Sequence, residues 1–266
     1  MPSRKRADVS DTPQGRAERR RTKAGKSTSL ARELVIIVGV ALVLSVFVRT
    51  FVAQAFFVPS SSMEDTLLKQ DRILASKLNT RIAGVNRGEI VVFTDPGDWL
   101  PEPVPATGLS GTIRNALMLV GLLPSDTGED LVKRVIAVGG DRVACCNAKN
   151  QITVNGVGLD ESAYLKPGSA TDQVRFDVMV PTDRIFVMGD NRGDSSDSRY
   201  HLAVDNGTVS IDSVVGRVVA VVWPASRWSG EPVPSIFENP DLDSKAGKVG
   251  TPSAAPSDEA SNSDGS

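Results

Sequence analysis

The chain has 266 residues, with 30 Lys and Arg against 32 Asp and Glu for a formal net charge of −2, one histidine and two cysteines. A zinc site built on histidines needs more than one of them, and a Ser/His/Asp hydrolase would have only His201 for its central role. The near-neutral total hides a basic head and an acidic foot, so net charge says little about partners.

In chain order, residues 1–33 form a basic arm. Arg4, Lys5, Arg6, Arg16, Arg19, Arg20, Arg21, Lys23, Lys26 and Arg32 stand against Asp8, Asp11, Glu18 and Glu33. With almost nothing apolar to bury, the arm is expected to be disordered. Nucleic-acid binding is the competing reading of its arginines, and the next segment argues against it. Leu34–Val48 carries no charge and continues past Arg49 as TFVAQAFFV. A bilayer-crossing helix needs about 20 apolar residues, so Leu34–Phe57 is long enough for a transmembrane anchor, and Arg49 near its outer end can snorkel. The Lys and Arg that precede the span place the N-terminus in the cytoplasm and everything after Val58 outside, a single-pass arrangement in the cell membrane. A signal peptide cleaved after Ala53-Gln54-Ala55 and a buried core helix are the alternatives. The length of the apolar run and of the basic region before it favours a retained anchor.

From residue 58 to about 230, short β-branched runs recur between turn signals: DRILAS, GEIVVF, KRVIAV, QITVNG, VRFDVMV, RIFVMG and SVVGRVVAVVW. This spacing predicts a mainly β, antiparallel domain, with Asn155-Gly156 closing one hairpin. No GxGxxG or Walker motif points to a nucleotide. Residues 96–130 interrupt the pattern as an insert, with a Pro-rich loop and a short apolar helix over Ile113–Leu123 that either packs on the domain or rests on the membrane. Cys145 and Cys146 are adjacent. They cannot staple distant elements, and a vicinal disulfide or an intermolecular pair remains open in an oxidising exterior. Residues 231–266, rich in Pro, Ser, Ala and Gly with seven acidic residues against Lys245 and Lys248, are expected to be an acidic disordered tail.

The chemistry centres on a serine in PSSSMEDTL, Pro59–Leu67, directly after the apolar span, and a lysine in LVKRVIAVGGDRV, Leu131–Val143. With so little histidine, a serine nucleophile served by a lysine base is the economical constellation. Lysine must be neutral to act, which takes about 3.4 pH units of depression at pH 7, or about 4.6 kcal/mol. Burial among Leu131, Val132, Val135 and Ile136 offers such a setting.

Four blocks in order, PSSSMEDTL, RGEIVVF, LVKRVIAVGGDRV and VMGDNRGDSSDSRY (Val187–Tyr200), resemble bacterial type I signal peptidases, the leader peptidases of the Ser/Lys serine protease class. The resemblance covers most of residues 58–222 together with the anchor. It implies a membrane-bound endopeptidase that removes signal peptides from exported preproteins after A-x-A-like sites, through an acyl-enzyme and without a metal or other cofactor. Its partners would be preprotein signal peptides and membrane phospholipid, and no nucleic acid. By the same resemblance Ser62 is the nucleophile, Lys133 the general base, Ser60 an oxyanion donor and Ser195 the serine that orients the lysine amine. Asp197 and Arg199 match a bracing ion pair, and Gly189, Asp190 and Asn191 match the turn beside the site. Val58, Pro59, Met63, Leu67 and Val132 would surround the substrate. Two positions depart from the family pattern: Ser61 stands where glycine is frequent, and Asp65 where many members have proline. Two rivals remain. A self-cleaving repressor would need a DNA-binding module in place of the anchor. A catalytically silent, membrane-anchored β domain that binds exported proteins would not need Ser62, Lys133, Ser60 and Ser195 intact.

Overall fold

The computed structural model describes residues 14–97, 99–100, 130–169 and 174–244, with side chains from Leu30 onward except those of Asn79, Arg81 and Ile82. Its first element is one helix, α1 (Gln14–Phe51). Within it, Leu30–Phe51 comprises 22 residues with a mean hydropathy of 2.6. At 1.5 Å per residue that stretch measures about 33 Å, enough to cross a hydrocarbon core of about 30 Å. Leu34, Val35, Val40 and Val43 are largely exposed, as expected of a helix whose apolar surface has lipid rather than protein to face.

Two expected boundaries need correction. The helix begins at Gln14, inside the arm expected to be disordered. Arg, Ala, Glu and Lys are good helix formers, and a helix that already exists over the apolar span extends without a new nucleus. Nor does the anchor run to Phe57. Ala53–Phe57 form strand β1, paired antiparallel with β2 (Arg72–Ser76) from Ala53↔Ser76 to Phe57↔Arg72. Helix and strand are both apolar here, so hydropathy cannot mark the change. The change is made by a partner strand that takes up the backbone hydrogen bonds.

After β2 and a short helix, α2 (Lys77–Ile82), come β3 (Ile90–Thr94), β4 (Asp130–Val138), β5 (Arg142–Cys145), β6 (Thr153–Val154), β7 (Val157–Gly158), β8 (Phe176–Met179), β9 (Arg184–Met188), β10 (Val209–Ser210), β11 (Val214–Trp223) and β12 (Ser229–Gly230). The main sheet runs β1-β2-β11-β3-β4-β9-β10, with β12 paired to β11, and a smaller sheet runs β7-β6-β5-β8. Every pairing is antiparallel, as the alternation of short runs and turns predicts. Asn155 and Gly156 both have positive φ, 52° and 79°, the geometry of a two-residue hairpin turn. The core on the β1/β2/β11 side holds Phe56, Val58, Met63, Leu67, Ile73 and Val92. A second cluster joins the far half of β4 to the small sheet through Ile136, Val143, Phe176 and Phe186.

The C-terminal boundary also moves. Residues 231–244 are packed on the domain: Phe237 and Leu242 are buried in the second cluster, Arg87 bridges Asp141 and Asp243, and Asn155 Nδ2 donates to Leu242 O at 2.7 Å. Two apolar anchors are enough to dock a Pro- and Ser-rich segment, and composition averaged over the tail conceals them. Cys145 and Cys146 form a vicinal disulfide across a cis peptide bond. Most of the insert, including its expected helix, lies outside the described residues. At its root, Trp99 packs edge-on to Phe93 and stacks on His201.

Candidate active site

Ser62 is carried by the loop that leaves β1. The base of that loop is closed by two backbone bonds, Val58 N to Asp71 O at 3.0 Å and Gln70 N to Val58 O at 2.9 Å. Met63 and Leu67, at 1% and 0% exposed, plug the loop into the core and hold Ser62 at its rim. Lys133 arrives on β4. It pairs with Val91 of β3 on one side; on the other, β9 pairs with Arg134–Val138, so Asp130–Lys133 have no β9 residue opposite them.

The two side chains meet. The Lys133 amine donates to Ser62 Oγ at 2.7 Å, and both groups are buried. Burial pushes the amine down to about 8, against the carboxylates of Asp197 and Asp190, which pull it up. About a tenth of it is then neutral at pH 7. Ser60 Oγ lies 3.1 Å from Ser62 Oγ.

A second loop, entered from β9, backs Ser62. Asn191 N donates to Ser62 O at 3.0 Å, and Asn191 Nδ2 donates to Ser61 O at 3.1 Å. Gly189 sits so close to these groups that a Cβ there would overlap Ser62 O and Ser195 Oγ. Asp190 receives Arg134 Nε at 2.9 Å and NH2 at 2.6 Å, together with Thr66 Oγ1 at 2.6 Å. Arg199 grips Asp197 with two bonds, at 2.8 and 2.9 Å, and Asp197 Oδ2 also accepts Gly189 N at 3.0 Å. Burial alone would raise the Asp197 carboxyl, but the bonds and charge of Arg199 hold it below its usual range. Ser195 is buried beside Gly189, and among the described residues its Oγ makes no hydrogen bond of normal geometry, though it lies near enough to help hold the Asp197 carboxyl down. The expected contact from Ser195 to the lysine amine is therefore not made; the amine turns to Ser62.

Of the residues expected around the substrate, Val58, Pro59, Met63 and Val132 line a cavity of about 130 Å³ together with Ser60, Ser62 and Lys133. Leu67 does not reach it and packs beneath Met63 in the core. A space this small suits small side chains.

The two departures from the family pattern have local consequences. The Ser61 hydroxyl donates to Asp194, a contact glycine could not make. Asp65 has φ of 90°, which a proline ring locked near −65° cannot adopt, so this turn runs differently from one built on proline.

A buried network is missing from the sequence reading. Tyr164 OH donates to Glu161 Oε1 at 2.5 Å, Arg192 NH1 donates to Glu161 Oε2 at 2.9 Å and Arg192 NH2 to Glu161 Oε1, and Arg192 Nε donates to Gly189 O at 3.0 Å. The Arg134 guanidinium lies over the Tyr164 ring at 4.4 Å. Tyr164 thus touches both the strand that carries Lys133 and the carboxylate that holds the second loop. Burial, and the Glu161 carboxylate beside it, push the Tyr164 phenol well above its ordinary value. Both arginines stand inside the recognised blocks, but their carboxylates lie 31 and 56 residues away, and no local pattern marks such a pairing.

Comparison with known proteins bears on this geometry. The profile of the family described as signal peptidase, peptidase S26, matches residues 31–223. Over 235 residues the chain is 37% identical to a probable signal peptidase I of Mycobacterium leprae (strain TN), covering 77% of this chain and 80% of that one. Over 223 residues it is 38% identical to signal peptidase I of Mycobacterium tuberculosis (strain ATCC 25618 / H37Rv), covering 75% of each. Among solved structures, a signal peptidase I from Enterococcus faecalis V583 aligns at 23% identity and a TM-score of 0.29, covering 50% of this chain and 95% of that one. The chain belongs to the signal peptidase family, peptidase S26, and is a hydrolase of the type I signal peptidase class.

Proposed function

We propose that the protein removes signal peptides from exported preproteins with Ser62 as nucleophile and Lys133 as general base. The observation that carries this reading is the buried 2.7 Å contact between the Lys133 amine and Ser62 Oγ, with the amine held near 8. In its neutral form the amine reverses the bond and accepts the hydroxyl proton as Oγ attacks the scissile carbonyl. The oxyanion formed is met by the Ser62 N–H and the Ser60 hydroxyl, each such donor typically contributing about 3 kcal/mol. The amine then passes its proton to the departing α-amine, and a water activated by the same lysine hydrolyses the acyl-enzyme. Small residues at the first and third positions before the cleaved bond fit the 130 Å³ cavity. The open side of Asp130–Lys133 offers an extended substrate backbone a strand to pair with. The arm, anchor and folded domain are assigned in that order to the cytoplasm, the bilayer and the exterior, from the basic residues that precede the span. Phospholipid surrounds the anchor.

Detergent-solubilised protein incubated with a precursor carrying an A-x-A site should release a product whose N-terminus begins directly after the second alanine. An unprocessed precursor, or cleavage elsewhere, overturns the assignment. In spheroplasts, added protease should digest the folded domain and spare residues 1–33; the opposite pattern would reverse the topology.

A further inference from the structure

The site has a neighbour that the chemistry does not use. Where α1 meets the main sheet, a recess of about 490 Å³ opens between the outer turns of the anchor and the β1–β2 hairpin, with Ala41, Ser45 and Val48 on one wall, Ala53, Ala55 and Leu74 on the other, and the polar Arg49 and Gln54 also among its lining residues. Ala55 and Leu74 are cross-strand partners. Ala53, Gln54 and Ala55 of β1 line this recess, and the next residues along the chain, Phe56, Phe57 and Val58, line the catalytic cavity. The two spaces are thus consecutive along β1. Ala53 and Phe57 are four residues apart, about 13 Å in an extended chain.

We infer that this recess receives the apolar segment of the signal peptide, which precedes the cleavage site. The inference rests on the proposed peptidase function. A secretory signal carries an apolar stretch of about 7–15 residues ahead of its small-residue cleavage site. If the bond to be cut lies at Ser62 and the residues before it occupy the 130 Å³ cavity, the chain leaves past Phe57 and reaches Ala53 roughly four residues later. There it meets the membrane end of the anchor. Its apolar helix then continues into the bilayer against Ala41, Ser45 and Val48. Helices associate in lipid mainly by close packing, and the small side chains of Ala41, Ser45, Ala53 and Ala55 leave the depth for it. Val43, on the opposite side of α1, is 72% exposed and faces away from this recess. The anchor would therefore contribute to substrate selection as well as to attachment.

The test uses full-length protein in lipid vesicles, with Ser62→Ala to hold the precursor. Single cysteines are introduced as Ala41→Cys, Ser45→Cys or Val43→Cys; the two native cysteines are bonded to each other. The precursor carries a thiol-reactive photoprobe in its apolar segment. Cross-linking at Ala41→Cys and Ser45→Cys should exceed that at Val43→Cys by about tenfold. Equal yields on both faces mean that lipid covers the recess, and they overturn the inference while leaving the peptidase assignment intact. In the active protein, Ala41→Phe and Ser45→Phe should each lower, about tenfold, the ratio of kcat/KM for the whole precursor to that for a short soluble peptide holding only the cleavage site. An unchanged ratio also overturns it. Failure of the unmodified protein to cleave either substrate would remove the peptidase reading itself.

Discussion

Lys133 and Arg134 are adjacent on β4, both buried to 2% exposure, and the protein treats their charges in opposite ways. Arg134 points into a region of paired charges, where Asp190 takes two of its N–H groups, Gly88 O takes a third at 2.8 Å and the Tyr164 ring covers its face. The Lys133 amine points into a cleft and donates to a neutral hydroxyl, that of Ser62. An arginine stays ionised in any protein environment, so burial demands a carboxylate. A lysine can lose its proton instead, and burial then tunes it. One strand therefore carries side by side a cation held by a carboxylate and an amine whose proton burial loosens, and the difference is made by which loop supplies a carboxylate.

The sharpest way to break this comparison is to remove the reactive pair. Ser62→Ala and Lys133→Met should each lower cleavage of an A-x-A precursor at least a thousandfold, in proteins whose circular dichroism is unchanged. Full activity in either folded variant ends the Ser/Lys reading. The companion expectation concerns stability. The Lys133 value is lowered from 10.5 to about 8, so between those values the unfolded state binds more protons and stability rises with pH; below about pH 8 the penalty is present in full. Lys133→Met should therefore be more stable than the parent at pH 7, by on the order of 2–3 kcal/mol. That advantage should shrink towards pH 10.5, as read by urea denaturation at both pH values.

Breaking the other cation should do the reverse. Asp190→Asn leaves Arg134 buried without its counter-charge, which typically costs about 3–5 kcal/mol. We expect a Tm loss that is large and depends little on pH from 6 to 9. A shift of a degree or less would show that the pair does not hold the second loop.

The pH profile sharpens the role of the amine. Activity should rise about tenfold per pH unit up to a limb near pH 8 and level off above it, since only neutral lysine accepts the proton. A flat profile from pH 5 to pH 9 contradicts this.

Smaller effects are expected further out. Tyr164→Phe removes one buried hydrogen bond but keeps the ring under Arg134, so a stability loss of about 1 kcal/mol should accompany a several-fold fall in kcat with KM nearly constant. A fall confined to KM would place Tyr164 outside the positioning of the dyad. His201→Ala, which removes a ring stacked on Trp99, should alter kcat/KM less than twofold in the same cleavage assay.

How far the site was legible depended on whether its parts were neighbours in sequence. Ser60 and Ser62 share one loop, Lys133 and Arg134 one strand, and Asp197 and Arg199 one turn; each unit was readable in its own block. Glu161 and Tyr164 were not, because nothing near them in sequence announces an arginine at 192. Leu67 was placed around the substrate by the family resemblance, but after the turn through Asp65 it packs in the core. The anchor's outer boundary was misplaced for a related reason. Ala53–Phe57 is as apolar as the helix before it, and only Arg72–Ser76 makes it a strand.

The sequence by itself determined the order of parts, an apolar anchor followed by an antiparallel β domain, because periodicity, turn residues and charge asymmetry act over a few residues at a time. It also supplied the short list of reactive groups, since one histidine and one ordered set of motifs leave few alternatives. Tertiary structure decided which of those groups are charged and where they point. Lys133 differs because β4 buries it against Ser62 while Arg134 and Arg199 take the hydrogen bonds of Asp190 and Asp197, whose charges still pull its amine up. Burial and charge compensation are properties of neighbours in space, and residues 62, 133, 190 and 197 become neighbours only when the sheet closes.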